Sequence, residues 1–144
     1  SPGEKHAYVI NELDCTVLTV SMDGLKGLGT VKTLPDGFAG SNTTAEIEAS
    51  ADGRFVYASN RGHDSIAVFS RDAETGALRL LQHAPCGGKT PRHFKIAPGG
   101  KWLLCGHMDS HTISVLPLDP DSGKLGEPSC TVKSPSPICI LFAR

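Results

Sequence analysis

The chain has 144 residues, of which 39% are hydrophobic and 20% charged, and its formal net charge is −1. That balance suits a globular domain and gives no electrostatic footprint for nucleic acid or an anionic membrane surface. No apolar run approaches the roughly 20 residues of a membrane-spanning helix.

Taken from the N-terminus, the sequence offers short apolar runs separated by turn chemistry, with no helical periodicity. Runs at 6–10, 16–21 and 28–33 read as three strands, and a Gly-rich loop covers 34–42. Four more strands are expected at 44–49, 55–59, 65–70 and 78–83. Asp52-Gly53 precedes the second of these, and Glu74-Thr75-Gly76 follows the third. A further four are expected at 93–97, 102–106, 112–118 and 125–132, and a last one at 138–143. The five cysteines, Cys15, Cys86, Cys105, Cys130 and Cys139, are widely spaced with no Cys-x-x-Cys. They read as reduced thiols, so a cytoplasmic location is expected.

Most of these runs are copies of one another. An offset of 47 takes Gly53 to Gly100, Phe55 to Trp102, Tyr57 to Leu104, Ile66 to Ile113, Val68 to Val115, Gly76 to Gly123 and Leu78 to Leu125. An offset of 49 takes Tyr8 to Tyr57, Asn11 to Asn60 and Val17 to Ile66. A period of about 40–50 residues with several strands per period predicts an all-β chain of β-propeller blades. The expected units are an incomplete blade at 1–43, blades at 44–89 and 90–136, and a final inner strand at 137–144. Each full unit is read as four antiparallel strands, the first nearest the axis. About three blades leave apolar faces and strand edges uncovered. Further N-terminal blades, or self-association, are expected to complete the ring. Phe55 and Trp102 share one position and are read as core.

In such a meander the turns fall at one end of each blade, and the loops with chemistry at the other. The turn end holds Asp52-Gly53, Glu74-Thr75-Gly76, Gly99-Gly100 and Asp121-Ser122-Gly123. The opposite end gathers Glu46, Arg61, His63, Lys89, Arg92, His93 and His107, a division of scaffold from function.

These loops also carry a resemblance. Ala45-Glu46-Ile47, Asn60-Arg61-Gly62-His63-Asp64-Ser65-Ile66 and Gly87-Gly88-Lys89-Thr90-Pro91-Arg92-His93-Phe94 resemble the lactonase family of seven-bladed propellers. Tyr8-Val9-Ile10-Asn11-Glu12-Leu13 and Pro135-Ser136-Pro137-Ile138-Cys139 fit it as well. The likeness spans nearly the whole chain but only the C-terminal part of the family's length. A His-rich stretch of the family's N-terminal half has no counterpart here. The family contains 6-phosphogluconolactonases and carboxy-muconate cyclases, so the resemblance implies a small-molecule lactone substrate within carbohydrate metabolism. It places the site at the channel mouth and maps its Glu and Arg residues onto Glu46, Arg61 and Arg92.

Lactone hydrolysis needs an activated water, a donor to the developing oxyanion and a charge match for the substrate's anion. Glu46 is the candidate general base, with Arg61 and His63 as its catalytic companions. Arg92 and Lys89 are the candidate substrate-binding cations, since guanidinium forks suit phosphate and carboxylate. No cofactor or metal is expected. His107 and His111 have the spacing of helical zinc ligands, but that spacing does not converge on a strand-loop-strand segment. Two other readings keep the same residues: a carboxy-muconate lactone cyclase, and a non-catalytic propeller scaffold.

Overall fold

The structure, a computed structural model, describes residues 4–143. Its strands are β1 (His6–Asn11), β2 (Thr16–Ser21), β3 (Lys26–Lys32), β4 (Thr43–Ala49), β5 (Phe55–Arg61), β6 (Ser65–Arg71) and β7 (Leu78–Pro85). They continue as β8 (Pro91–Ile96), β9 (Trp102–His107), β10 (Thr112–Pro117) and β11 (Cys130–Lys133). No helix occurs among the described residues. The strands form three antiparallel meanders, β1-β2-β3, β4-β5-β6-β7 and β8-β9-β10-β11. Strand β4 lies against both β1 and β8, which makes the first strand of each full sheet the inner one.

Two expected strands differ. The run at 125–132 begins as a strand only at Cys130, after an isolated bridge between Leu118 and Leu125. Pro128 lies between these two points and has no N–H to give to a ladder. Residues 138–143, expected as a final inner strand, form no ladder. The backbone N–H of Ile140 is taken by a side chain, His93 Nδ1, at 3.2 Å.

The central sheet is buried on both faces, which explains why its middle strands read as unbroken apolar runs. Phe55, Tyr57, Ile66 and Val68 pack with Phe94, Leu103, Leu116, Leu118 and Leu125 of the following sheet. Val56, Ala58, Ala67 and Phe69 pack with Tyr8, Ile10, Val17 and Val31 of the preceding one. Alternate side chains of one strand thus serve two different cores.

The repeat also builds the joint between sheets. The Tyr57 hydroxyl donates to the Gly123 carbonyl at 2.9 Å, and the Tyr8 hydroxyl to the Gly76 carbonyl at 2.8 Å. Both glycines have positive φ, 73° and 72°. A Cβ on Gly123 would lie 2.3 Å from the Phe55 ring, and one on Gly76 would lie 2.5 Å from the His6 ring. The aromatic ring two residues before each tyrosine therefore sits directly on a glycine of the next sheet. Trp102, read from the sequence as core, is 44% exposed, because no described sheet lies against its face.

Two substitutions test this joint. Tyr57→Phe strands a buried carbonyl and should lower stability by about 1–2 kcal/mol. Gly123→Ala should cost more, about 2–4 kcal/mol, since left-handed strain adds to overpacking against Phe55. Urea unfolding monitored by Trp102 fluorescence reads both.

Candidate active site

The inner strands carry a bulge at the same place in each full sheet. In β4 the register shifts between Thr44 and Ile47, and in β8 between Pro91 and His93. A bulge adds one residue and re-aims its neighbours. Here it falls on the segments that hold Glu46 and Arg92.

Glu46 is held from two sides. Its Oε1 accepts from the Ile47 N–H at 3.1 Å, and its Oε2 lies 3.3 Å from His93 Nε2. His93 Nδ1 accepts from the Ile140 N–H, so a neutral imidazole carries its proton on Nε2 and donates it to Glu46. Residues 46, 93 and 140 are spaced by the repeat offset of 47. One position of three successive inner segments is thus wired into one chain. A second rung lies two residues further on, where Lys95 Nζ meets Glu48 Oε1 at 2.7 Å and the Ile96 N–H meets Glu48 Oε2 at 2.9 Å. Cavities of about 580 and 680 Å³ open beside this rung, toward the turn end. Glu46, Arg61, His63, Lys89 and Arg92 do not line them.

The other expected site residues divide. Arg92 is exposed, and its side chain has no hydrogen bond or ion pair among the described residues. Lys89 is exposed as well, and its backbone N–H is fixed by Ser110 Oγ at 2.9 Å. Arg61 is already engaged. It pairs with the Glu12 carboxylate and donates to the Thr44 carbonyl at 3.0 Å, leaving a buried Nε without a partner. His63, expected beside Glu46, lies elsewhere. Its Nδ1 is 2.7 Å from Ser65 Oγ, and its ring meets Phe38 and His83 edge-on at 5.0 and 5.8 Å. His83 belongs to the outer strand β7, and burial holds its imidazole below the ordinary value.

A second polar group underlies the loops. Asn60 and His107 stand at equivalent positions and are both fully buried. Asn60 accepts from Thr33 Oγ1 at 2.7 Å and donates to the Thr33 carbonyl at 2.8 Å. His107 Nε2 lies 2.9 Å from Ser114 Oγ, and its Nδ1 lies 3.8 Å from Cys86 Sγ. Hydrogen bonds from Cys105 and then His107 hold the Cys86 thiol down to about 6, against its burial. Cys86 and burial push the Cys105 thiol up. His111 does not join His107: its Nδ1 accepts from the Ser136 N–H at 3.1 Å.

The fold agrees with what known proteins show. The family model described as "Lactonase, 7-bladed beta-propeller" matches residues 1–142. The chain belongs to the lactonase family of seven-bladed β-propellers.

A 6-phosphogluconolactonase of Bacillus subtilis is 33% identical over 98% of this chain and 42% of its own length. One from Formosa agariphila is 40% identical over 84% of this chain and 35% of its own. The periplasmic gluconolactonase PpgL of Pseudomonas aeruginosa superposes with a TM-score of 0.91 at 33% identity, over 95% of this chain and 39% of that one. The lactonase chain thus spans about two fifths of the length of these relatives.

Two partners escaped the sequence reading, and the repeat held the signal for both. Adding 47 to Glu46 lands on His93, its contact, whereas weight had gone to neighbouring Arg92. Subtracting 49 from Arg61 lands on Glu12, its ion partner.

This geometry makes Arg61 a brace between the first two blades. Arg61→Ala should lower stability by about 1–3 kcal/mol, since it leaves the Thr44 carbonyl without its charged donor. Glu12→Gln should change stability by less than about 0.5 kcal/mol, because Glu12 is 62% exposed. Denaturant midpoints of the two variants check the contrast.

Proposed function

We propose that this chain supplies one side of a lactone-hydrolysing site in a seven-bladed propeller, acting on a phosphorylated sugar lactone of the 6-phosphogluconolactone type. The observation that carries the reading is the pairing of a doubly held carboxylate, Glu46, with a partner-free Arg92 on the neighbouring inner strand. The names of the Bacillus and Formosa relatives support the substrate class.

The carboxylate oxygens of Glu46 each accept one hydrogen bond and keep lone-pair capacity for a water. In the proposed step Glu46 takes a proton from that water as its oxygen attacks the lactone carbonyl. The tetrahedral intermediate then breaks the ring C–O bond, and the released ring oxygen takes up the proton. Free acid and hydroxyl are the products. His93 fixes the carboxylate's orientation through Nε2–H. Arg92, with Lys89 at the rim, takes the substrate's phosphate. Arg61, already bound to Glu12 and Thr44, contributes its charge and holds the mouth together.

No helix among the described residues is long and apolar enough to cross a membrane. Five cysteines outside any disulfide support a reducing compartment, the cytoplasm.

Kinetics of the full-length protein on 6-phosphogluconolactone, with spontaneous ring opening subtracted, test the roles. Glu46→Gln should lower kcat by roughly 10²–10⁴-fold, as for a lost general base. Arg92→Ala should chiefly raise KM, because it removes a ground-state contact. Near-normal turnover by Glu46→Gln removes Glu46 from the mechanism. Turnover of a carboxylated muconolactone alone would favour the cyclase reading, and turnover of neither would favour the scaffold.

A further inference from the structure

Cys86, Cys105 and His107 take no part in the chemistry above, yet they are fully buried and converge on one another. Cys105 and His107 are two apart on β9, so their side chains leave the same face of the strand. That face looks toward the central sheet, whose last strand, β7, ends one residue before Cys86. The three ligating atoms all lie within 4.8 Å of one another, with Cys86 Sγ and His107 Nδ1 3.8 Å apart. Bond lengths of about 2.3 Å to sulfur and 2.0 Å to nitrogen around one ion set a sulfur–nitrogen separation of roughly 3.5–3.7 Å. The observed spacing is within a few tenths of an ångström of that.

We propose that Cys86, Cys105 and His107 form a buried three-ligand site for one thiophilic d¹⁰ metal ion that pins the second blade to the third. The donor set selects this class, because thiolates and imidazole prefer zinc or cuprous ions over magnesium, calcium or manganese. Charge balance favours Zn²⁺: two thiolates cancel its charge, so the buried centre is neutral. His107 already has the outer partner that metal-bound imidazoles need, since Nε2 can donate to Ser114 Oγ at 2.9 Å while Nδ1 binds. The carbonyls of Asp64 and Gly88, 2.9 and 3.5 Å from Cys86 Sγ, are the oxygens next to the site. Around it lie Phe94, Leu116 and Ile66, which keep the centre dry. A Cβ on Gly88 would lie 2.4 Å from the His107 ring, so the loop closes directly over the imidazole. The same position in the preceding repeat is Asn60, fully satisfied by Thr33 and Ser65, and it offers no such donor set.

The test uses the full-length protein, thiols reduced and metal removed, with each variant's uptake subtracted from that of the wild type. Zn²⁺ is titrated against a chromogenic chelator, Cu⁺ against a cuprous chelator in a parallel arm, and Co²⁺ is added to report sulfur ligation by its charge-transfer absorption. Expected is one equivalent of Zn²⁺ or Cu⁺, weakened at least about 100-fold in each of Cys86→Ser, Cys105→Ala and His107→Asn. The melting temperature of the wild type should rise with free metal concentration, and that of the variants should not. His107→Asn restores the residue of the equivalent position, and its cooperative melting in the absence of metal shows that lost binding is not lost folding. The proposal is overturned if the reduced wild type takes up no more metal than the three variants. It is overturned equally if Cys86 and Cys105 are found as a disulfide and their reduction brings no metal uptake.

Discussion

The structure depends on a joint made from one hydroxyl, one carbonyl and one missing side chain. A tyrosine on the second strand of one blade donates to the carbonyl of a glycine in the next blade, at the turn between its third and fourth strands. The ring two residues before that tyrosine lies on the glycine, where a Cβ would collide. Each part needs the others. The ring reaches the backbone only because the residue is glycine, and the positive φ of the turn admits glycine without strain. The hydroxyl then satisfies a carbonyl that the ring would otherwise help to cut off from water. Burial keeps Tyr57 protonated by pushing its phenol up, so the donor persists across ordinary pH. Repetition of this joint fixes how each sheet stands relative to the last. That orientation brings β4 and β8 side by side.

The side-by-side inner strands turn a folding period into a pattern of side-chain pairs. Residues one period apart on neighbouring blades face each other, so Glu46 meets His93 and Glu48 meets Lys95. A carboxylate placed once per repeat would meet another carboxylate and be repelled. This chain substitutes imidazole and ammonium in the following copy, and the pairs become attractive. The bulges then separate the two rungs in role. Below them the pairing is a closed ion pair with a backbone donor; at them Arg92 is exposed, without a side-chain partner among the described residues.

The period was legible in the sequence because turn glycines and strand residues recur without gaps, and it gave the sheets, their order and the end of the blades that holds the charged loops. What it could not give was rotamer choice at that end. Arg61 and Arg92 look alike as loop arginines, yet one is spent on Glu12 and Thr44 while the other's side chain has no partner among the described residues. The difference lies in the facing turn of the preceding blade, which presents Glu12 to Arg61. His63 was read as a catalytic companion of Glu46, but its imidazole meets Phe38, an apolar ring in a loop read only as Gly-rich, and His83 of β7. Trp102 was read as core from its equivalence to Phe55, and that equivalence holds only where a following blade supplies the glycine beneath it. The convergence of Cys86 with Cys105 was hidden for another reason. Cys86 follows the last strand of one sheet and Cys105 lies within the next, and no local pattern in the sequence joins them.

The buried ends of the second strands explain why the mouth is firm although it is built from loops. Asn60 and His107 each sit beneath the loop that leaves the preceding blade, and each is fully buried. Asn60 grips that loop through both the hydroxyl and the carbonyl of Thr33. His107 faces Cys86, whose thiol in turn donates to the Asp64 carbonyl at 2.9 Å. Asp64 completes the clamp: its carboxylate accepts from the Thr90 N–H at 2.9 Å, one residue past Lys89 and two before Arg92. A buried polar group without its partner would cost about 1–3 kcal/mol, so these contacts hold the loop in one arrangement. The cations at the rim are thus carried on backbone whose position is set from below. The proposed anion site gains from that arrangement, because little ordering remains to be done when a ligand arrives.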